Sequence, residues 1–88
     1  IGGVDDVVIS LSPELRNAAM SVATSLRSTG KSVDLVLEDK RLKWAFKHAE
    51  RSGAQRLVMV MPDEWKEGKV KIKDLESGEE IEVSVDSL

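Results

Sequence analysis

Between Glu38 and Arg51 the chain gathers the side chains best suited to hold a polyanion. Lys40, Arg41, Lys43, Lys47 and Arg51 alternate there with two flat rings, Trp44 and His48. Advancing about 100° per residue from Leu42, the residues Ala45, Phe46 and Ala49 fall within about 60° of it and form one apolar stripe. The five cations and both rings occupy the arc between about 100° and 260°. Lysine and arginine neutralise phosphates, and an unpaired base gains roughly 1–3 kcal/mol by stacking on an aromatic ring. A single-stranded RNA loop calls for that combination. Asp39 and Arg41, at the corner entering the helix, add hydrogen-bonding groups for base edges. Two plainer readings stand beside this one. Any solvated helix face carries charge, and Trp44 is equally able to pack beneath a neighbouring domain.

Other chemistries find little support. With no cysteine there is no disulfide, thiol nucleophile or Cys-based zinc site. His48, the one histidine, cannot build a His-rich metal centre and reads as a surface or flank residue. The turn Leu11-Ser12-Pro13-Glu14 has no glycine and carries an acid where a dinucleotide phosphate would sit. Asp5-Asp6 precedes the first strand, the wrong end of such a sheet for a phosphorylation pocket. Glu79, Glu80 and Glu82 read as a solvated hairpin face. By itself this is a non-catalytic segment.

The net charge of −3 argues against a nucleic-acid partner, but the acid is unevenly placed. Residues 1–61 hold nine Lys/Arg against seven Asp/Glu, whereas residues 62–88 hold four against nine. The longest apolar run, Leu57 to Met61, is far short of the roughly 20 residues that cross a membrane. No signal peptide is visible, and the absent initiator Met marks the chain as an expected piece of something larger.

The elements that must position these groups follow from periodicity. Val7 to Leu11 reads as a buried strand. Ser12 offers an N-cap, Pro13 fits the first helical position, and Leu15, Ala18, Ala19, Val22, Ala23 and Leu26 recur at helical spacing. Gly30 stops that helix. Ser32 to Leu37 reads as a second strand, the cationic helix runs to about Ser52, and Leu57 to Met61 forms a third strand. Residues 62–68 make a turn-rich connection with room for one helical turn, and Trp65 covers the sheet edge. Lys69 to Lys73 and Glu80 to Val85 alternate strictly around Ser77-Gly78, which predicts a hairpin with Lys–Glu pairs across it. Residues 1–88 are thus expected to form a single α/β domain, β-α-β-α-β followed by a hairpin.

The order of these segments resembles a known family. Arg41 through Ala54 with the strand after it, and more sharply Gly68 through Glu79 (glycine, alternating strand, Lys-Asp-Leu, Gly-Glu turn), are similar to the anticodon-binding domain of histidyl-tRNA synthetases. The chain departs from that pattern at Glu38-Asp39-Lys40, Lys43-Trp44-Ala45 and Pro62, and it stops before the family's terminal helix. The resemblance implies a mixed five-stranded sheet flanked by helices, attached to a class II catalytic body in a homodimeric parent. It implies a grip on the anticodon stem-loop of a histidine tRNA by Glu38, Asp39, Lys40 and Arg41, with Lys71 and Lys73; the cationic helix face adds Lys43, Trp44 and Lys47 to the expected contacts. No cofactor is expected in this segment; ATP and magnesium belong to the catalytic body. The expected location is cytoplasmic, or an organelle if a transit peptide has been removed. The competing expectations are a regulatory relative that has abandoned tRNA and a general protein-interaction domain.

Overall fold

The computed structural model describes residues 4–37 and 41–88. Strand β1 (Asp6–Ser10) is followed by a 3-10 turn (Pro13–Leu15) and helix α1 (Arg16–Ser28), then by β2 (Val33–Val36) and α2 (Leu42–Arg51). Next come β3 (Arg56–Val60), the short helix α3 (Pro62–Lys66), β4 (Lys69–Asp74) and β5 (Glu80–Ser84). The strands form one sheet in the order β2-β1-β3-β4-β5. β1 pairs in parallel with β2 and β3, whereas β3-β4 and β4-β5 are antiparallel. The mixed five-stranded sheet is therefore present, with every predicted element in its predicted order.

Two apolar layers sandwich this sheet because its central strands are apolar on both faces. Val8, Val58, Val60, Val70 and Ile72 meet Ala19, Val22, Ala23 and Leu26 of α1. Val7, Ile9, Leu57 and Met59 meet Ala45 and Ala49 of α2. Trp65 packs at the margin of the α1-side layer, the covering role its position predicts. Ser12 differs from expectation: its hydroxyl donates to Glu14 Oε1 at 2.8 Å and makes no side-chain cap. Gly30, with φ at +89°, closes α1 in a conformation that L side chains rarely adopt.

At the amino end of the parallel strands, Asp6 is fully buried and Arg56 clasps it from β3. Its Nε donates to Oδ1 at 2.7 Å and its terminal nitrogen to Oδ2 at 3.0 Å. That hydrogen bond holds the guanidinium above its ordinary pKa, against the opposing effect of burial. Asp5 accepts the Ser32 N–H at 2.9 Å, which ties β1 to the start of β2. Both acids are structural.

Candidate RNA-binding face

Helix α2 follows β2, so it starts beyond the carboxyl end of the parallel strands, where ligands of open α/β sheets gather. Its N-cap is Arg41, with extended φ and ψ and no side-chain cap bond, and its first turn contains no acid. Helix N-termini carry partial positive charge, so a cation there is unfavourable unless an anion answers it. Lys43, Lys47 and Arg51 then recur four residues apart, and all three are exposed. Like charges at that spacing repel by a few tenths of a kcal/mol per pair. Glu50, also exposed, is the one acid of the helix, and Arg51 in the last turn suits the dipole, so the face is predominantly rather than purely cationic.

The two aromatic rings are arranged otherwise than the sequence predicts. Trp44 and His48 do not stand outward among the cations; both are half-buried, and Trp44 packs at the margin of the α2-side core. Their rings stack on each other with centroids 4.8 Å apart and planes 8° from parallel. His48 Nε2 lies 2.7 Å from Asp34 Oδ2, a distance at which the ring N–H donates to the carboxylate. The pair therefore leans toward β2. The cause is the small-residue stripe: Ala45 and Ala49 bring α2 close to the sheet, so residues on its flanks reach the strands. On the opposite flank Phe46 leans toward β4, with Lys73 Nζ 4.8 Å from its ring centre, a cation–π contact.

Lys71 and Lys73 share the α2 side of the sheet, because Val70 and Ile72 take the other side by strand alternation. Both lysines are half-buried and approach Glu80 of β5, one to each carboxylate oxygen at 4.0 Å. Lys71 lies opposite Met59, nearer the carboxyl end of β3, and Lys73 opposite Leu57, nearer its amino end. Among the predicted contact residues, then, Arg41, Lys43, Lys47, Lys71 and Lys73 lie on one side of the sheet as cations, with Trp44 at a flank. Glu38, Asp39 and Lys40 lie outside the described residues. Sequence reasoning missed Asp34 and Phe46 as members of this face. Period-two alternation in β2, with Val36 on the α2-side core and Val33 and Leu35 against the other, was the available signal for Asp34.

The described residues contain no group of three or more acidic or histidine side chains able to hold a metal ion. No helix among them is long and apolar enough to cross a membrane.

Comparison with known proteins decides the family. The family model of the anticodon-binding domain matches residues 5–88. The chain belongs to that family. It is 49% identical over 85 residues to the chloroplastic/mitochondrial histidine--tRNA ligase of Arabidopsis thaliana, covering 97% of this chain and 18% of that protein. The histidine--tRNA ligase of Bacillus velezensis is 34% identical over 86 residues, 98% of this chain and 20% of the relative. The crystal structure of histidyl-tRNA synthetase from Nostoc sp. PCC 7120 superposes with a TM-score of 0.92 at 32% identity, covering 97% of this chain and 20% of that one. The chain thus spans about a fifth of the length of the relatives it matches. The RNA-binding domain of a threonyl-tRNA synthetase from Cryptosporidium parvum, at 15% identity and a TM-score of 0.88, shares the fold.

Proposed function

We propose that this domain holds the anticodon stem-loop of a histidine tRNA on behalf of a histidine--tRNA ligase. The catalytic body of that ligase joins histidine to the tRNA with ATP and magnesium bound outside this domain, and the parent is a homodimer. The observation that carries the reading is the row of cations on α2, from uncapped Arg41 through Lys43 and Lys47, on the same side of the sheet as Lys71 and Lys73. The phosphates of an RNA loop form the anion that such a row of exposed lysines and arginines suits. Family membership narrows that anion to an anticodon stem-loop, and the ligase names of the relatives narrow it to histidine tRNA. Glu38, Asp39 and Lys40 complete the proposed contact set at the corner before α2. The 49% identity with a chloroplastic/mitochondrial ligase supports an organellar parent.

The test is an NMR titration of the 15N-labelled chain with a histidine-tRNA anticodon stem-loop. Shifts are expected to cluster at Arg41 to Lys47 and at Lys71 and Lys73. About four phosphate contacts predict a log–log salt slope near −3. Binding is expected to be weak, because the domain as a whole is acidic. No shifts at low salt, or equal shifts with any hairpin of the same length, would overturn the reading.

A further inference from the structure

Asp34 lies in β2, outside the cation row, and takes no part in the ion pair that closes the amino end of the sheet. Its partner is His48, fourteen residues away on α2, at 2.7 Å. His48 in turn lies flat on Trp44. Carboxylate, imidazole and indole therefore form one continuous chain from the rigid sheet to a ring at the edge of the cation-bearing helix. The side chains of Asp34 and His48 are 38% and 30% exposed, so this is neither a sealed core contact nor a fully solvated surface pair.

Stacking between side chains four apart on a helix is weak by itself. A hydrogen bond to a carboxylate is stronger and directional, and it fixes which ring nitrogen carries the proton and how the imidazole is turned. The indole already packs at the margin of the α2-side core, and a fixed imidazole lying 8° from parallel sets the position of one of its faces. Pre-organising an aromatic platform before RNA arrives removes the ordering cost from the binding step. We infer that Asp34 is a positioning residue for RNA binding: it anchors His48, which holds the Trp44 indole in the orientation that meets the RNA. This rests on the proposed function and on Trp44 belonging to its contact set.

The sign of the effect separates positioning from charge. Removing a carboxylate beside a phosphate-binding surface should tighten RNA binding by Coulomb's law alone. Positioning predicts the opposite. The measurements use a Trp65→Phe background, in which Trp44 is the sole indole of the two in the chain. Asp34→Ala is expected to speed the decay of Trp44 fluorescence anisotropy and to weaken stem-loop binding about fivefold, with amide dispersion retained. Asp34→Asn keeps an acceptor for the imidazole N–H and should restore affinity to within about twofold. His48→Ala should match Asp34→Ala, and the double variant should be no worse than either alone, because both cut one chain.

Two results overturn the inference by itself: Trp44→Ala weakening binding while Asp34→Ala does not, or additive losses in the double variant. Should Trp44→Ala leave affinity unchanged, the assignment of Trp44 to the interface falls, and the role of Asp34 with it. Should Asp34→Ala fail to fold, the comparison of His48→Ala with Asp34→Asn still decides the matter.

Discussion

On the α1 side of the sheet, β4 contributes Val70 and Ile72, both buried; on the α2 side the same strand contributes Lys69, Lys71 and Lys73, none of them buried. The helices follow suit. α1 buries Ala19, Val22, Ala23 and Leu26 across thirteen residues, whereas the ten residues of α2 bury only Ala45 and Ala49 and carry a row of exposed cations. One face therefore spends its side chains on packing, and the other covers the middle of the sheet with the least material that will serve. The difference shows how a domain of 88 residues keeps a stable core while presenting a charged surface. The two duties are divided between the faces of a single sheet, and period-two alternation makes the division.

The sharpest way to break that comparison is to damage the α1 side. Asp6 is fully buried on that side with Arg56 as its clasp, and removing one partner of such a pair strands the other's charge in a dry site. Arg56→Ala is expected to cost about 3 kcal/mol of stability, the lower end of the range for a buried pair because Arg56 is still 27% exposed. Urea denaturation measures it. Stem-loop affinity at a temperature where the variant stays folded should be unchanged. A large loss of affinity in the folded variant would show the faces to be coupled.

The converse experiment strips the α2 side. Lys43→Ala with Lys47→Ala removes two exposed cations and a repulsive pair, and alanine is the better helix former. Stem-loop binding should fall about tenfold, with the salt slope reduced by about 1.4, while the melting temperature holds or rises slightly. A drop in melting temperature of several degrees would mean these lysines pack rather than bind.

Much of this division was legible in the sequence. Alternation in Lys69 to Lys73 gave the two faces of β4, and the spacing of Leu42, Ala45, Phe46 and Ala49 gave the buried stripe of α2; β5 buries none of its residues, with Ile81 53% exposed at the sheet edge. The placement of Trp44 and His48 was not legible. A helical wheel assigns angles but not how near the helix sits to the sheet. Two alanines in the stripe let α2 approach closely enough for His48, at about 240°, to reach Asp34 of β2 and for Trp44, at about 200°, to pack at the margin of the core. Asp34 was likewise hidden, because a lone acid in a short strand gives no sign of its partner until the crossover connection is known. The Asp6–Arg56 clasp spans fifty residues and depended on the register of β1 with β3, which no local pattern encodes.

Acid offers a milder probe of the α1 side. Asp74 ends β4 there, and its Oδ1 accepts the backbone N–H groups of Ser77 at 3.0 Å and Glu76 at 2.9 Å. Those bonds, Ser77 first, pull its pKa below the ordinary value of 3.8. A depressed carboxylate stabilises the turn at every pH above its unfolded pKa and loses that contribution as pH falls through the folded one. The amides of Glu76 and Ser77 should therefore lose exchange protection below about pH 4, ahead of the central strands. Asp74→Asn keeps an acceptor without the titration and should flatten that dependence. Equal loss across the whole sheet would point to global unfolding instead.

The smallest expected effect tests whether the hairpin belongs to the binding face at all. Glu80 stands between Lys71 and Lys73, 4.0 Å from each, and such partly exposed pairs contribute little to stability. What Glu80 does is cancel charge that phosphates would otherwise use. Glu80→Gln should leave the melting temperature unchanged and tighten stem-loop binding about twofold, with the shift changes centred on the two lysines. Net charge alone could produce a similar gain, so Glu76→Gln, at the exposed hairpin turn, serves as the control. If both substitutions tighten binding equally, the gain is a long-range charge effect, and the RNA runs along α2 without touching β4. If only Glu80→Gln does so, and Lys71→Ala abolishes the gain, the binding face extends from the helix across the sheet to the hairpin.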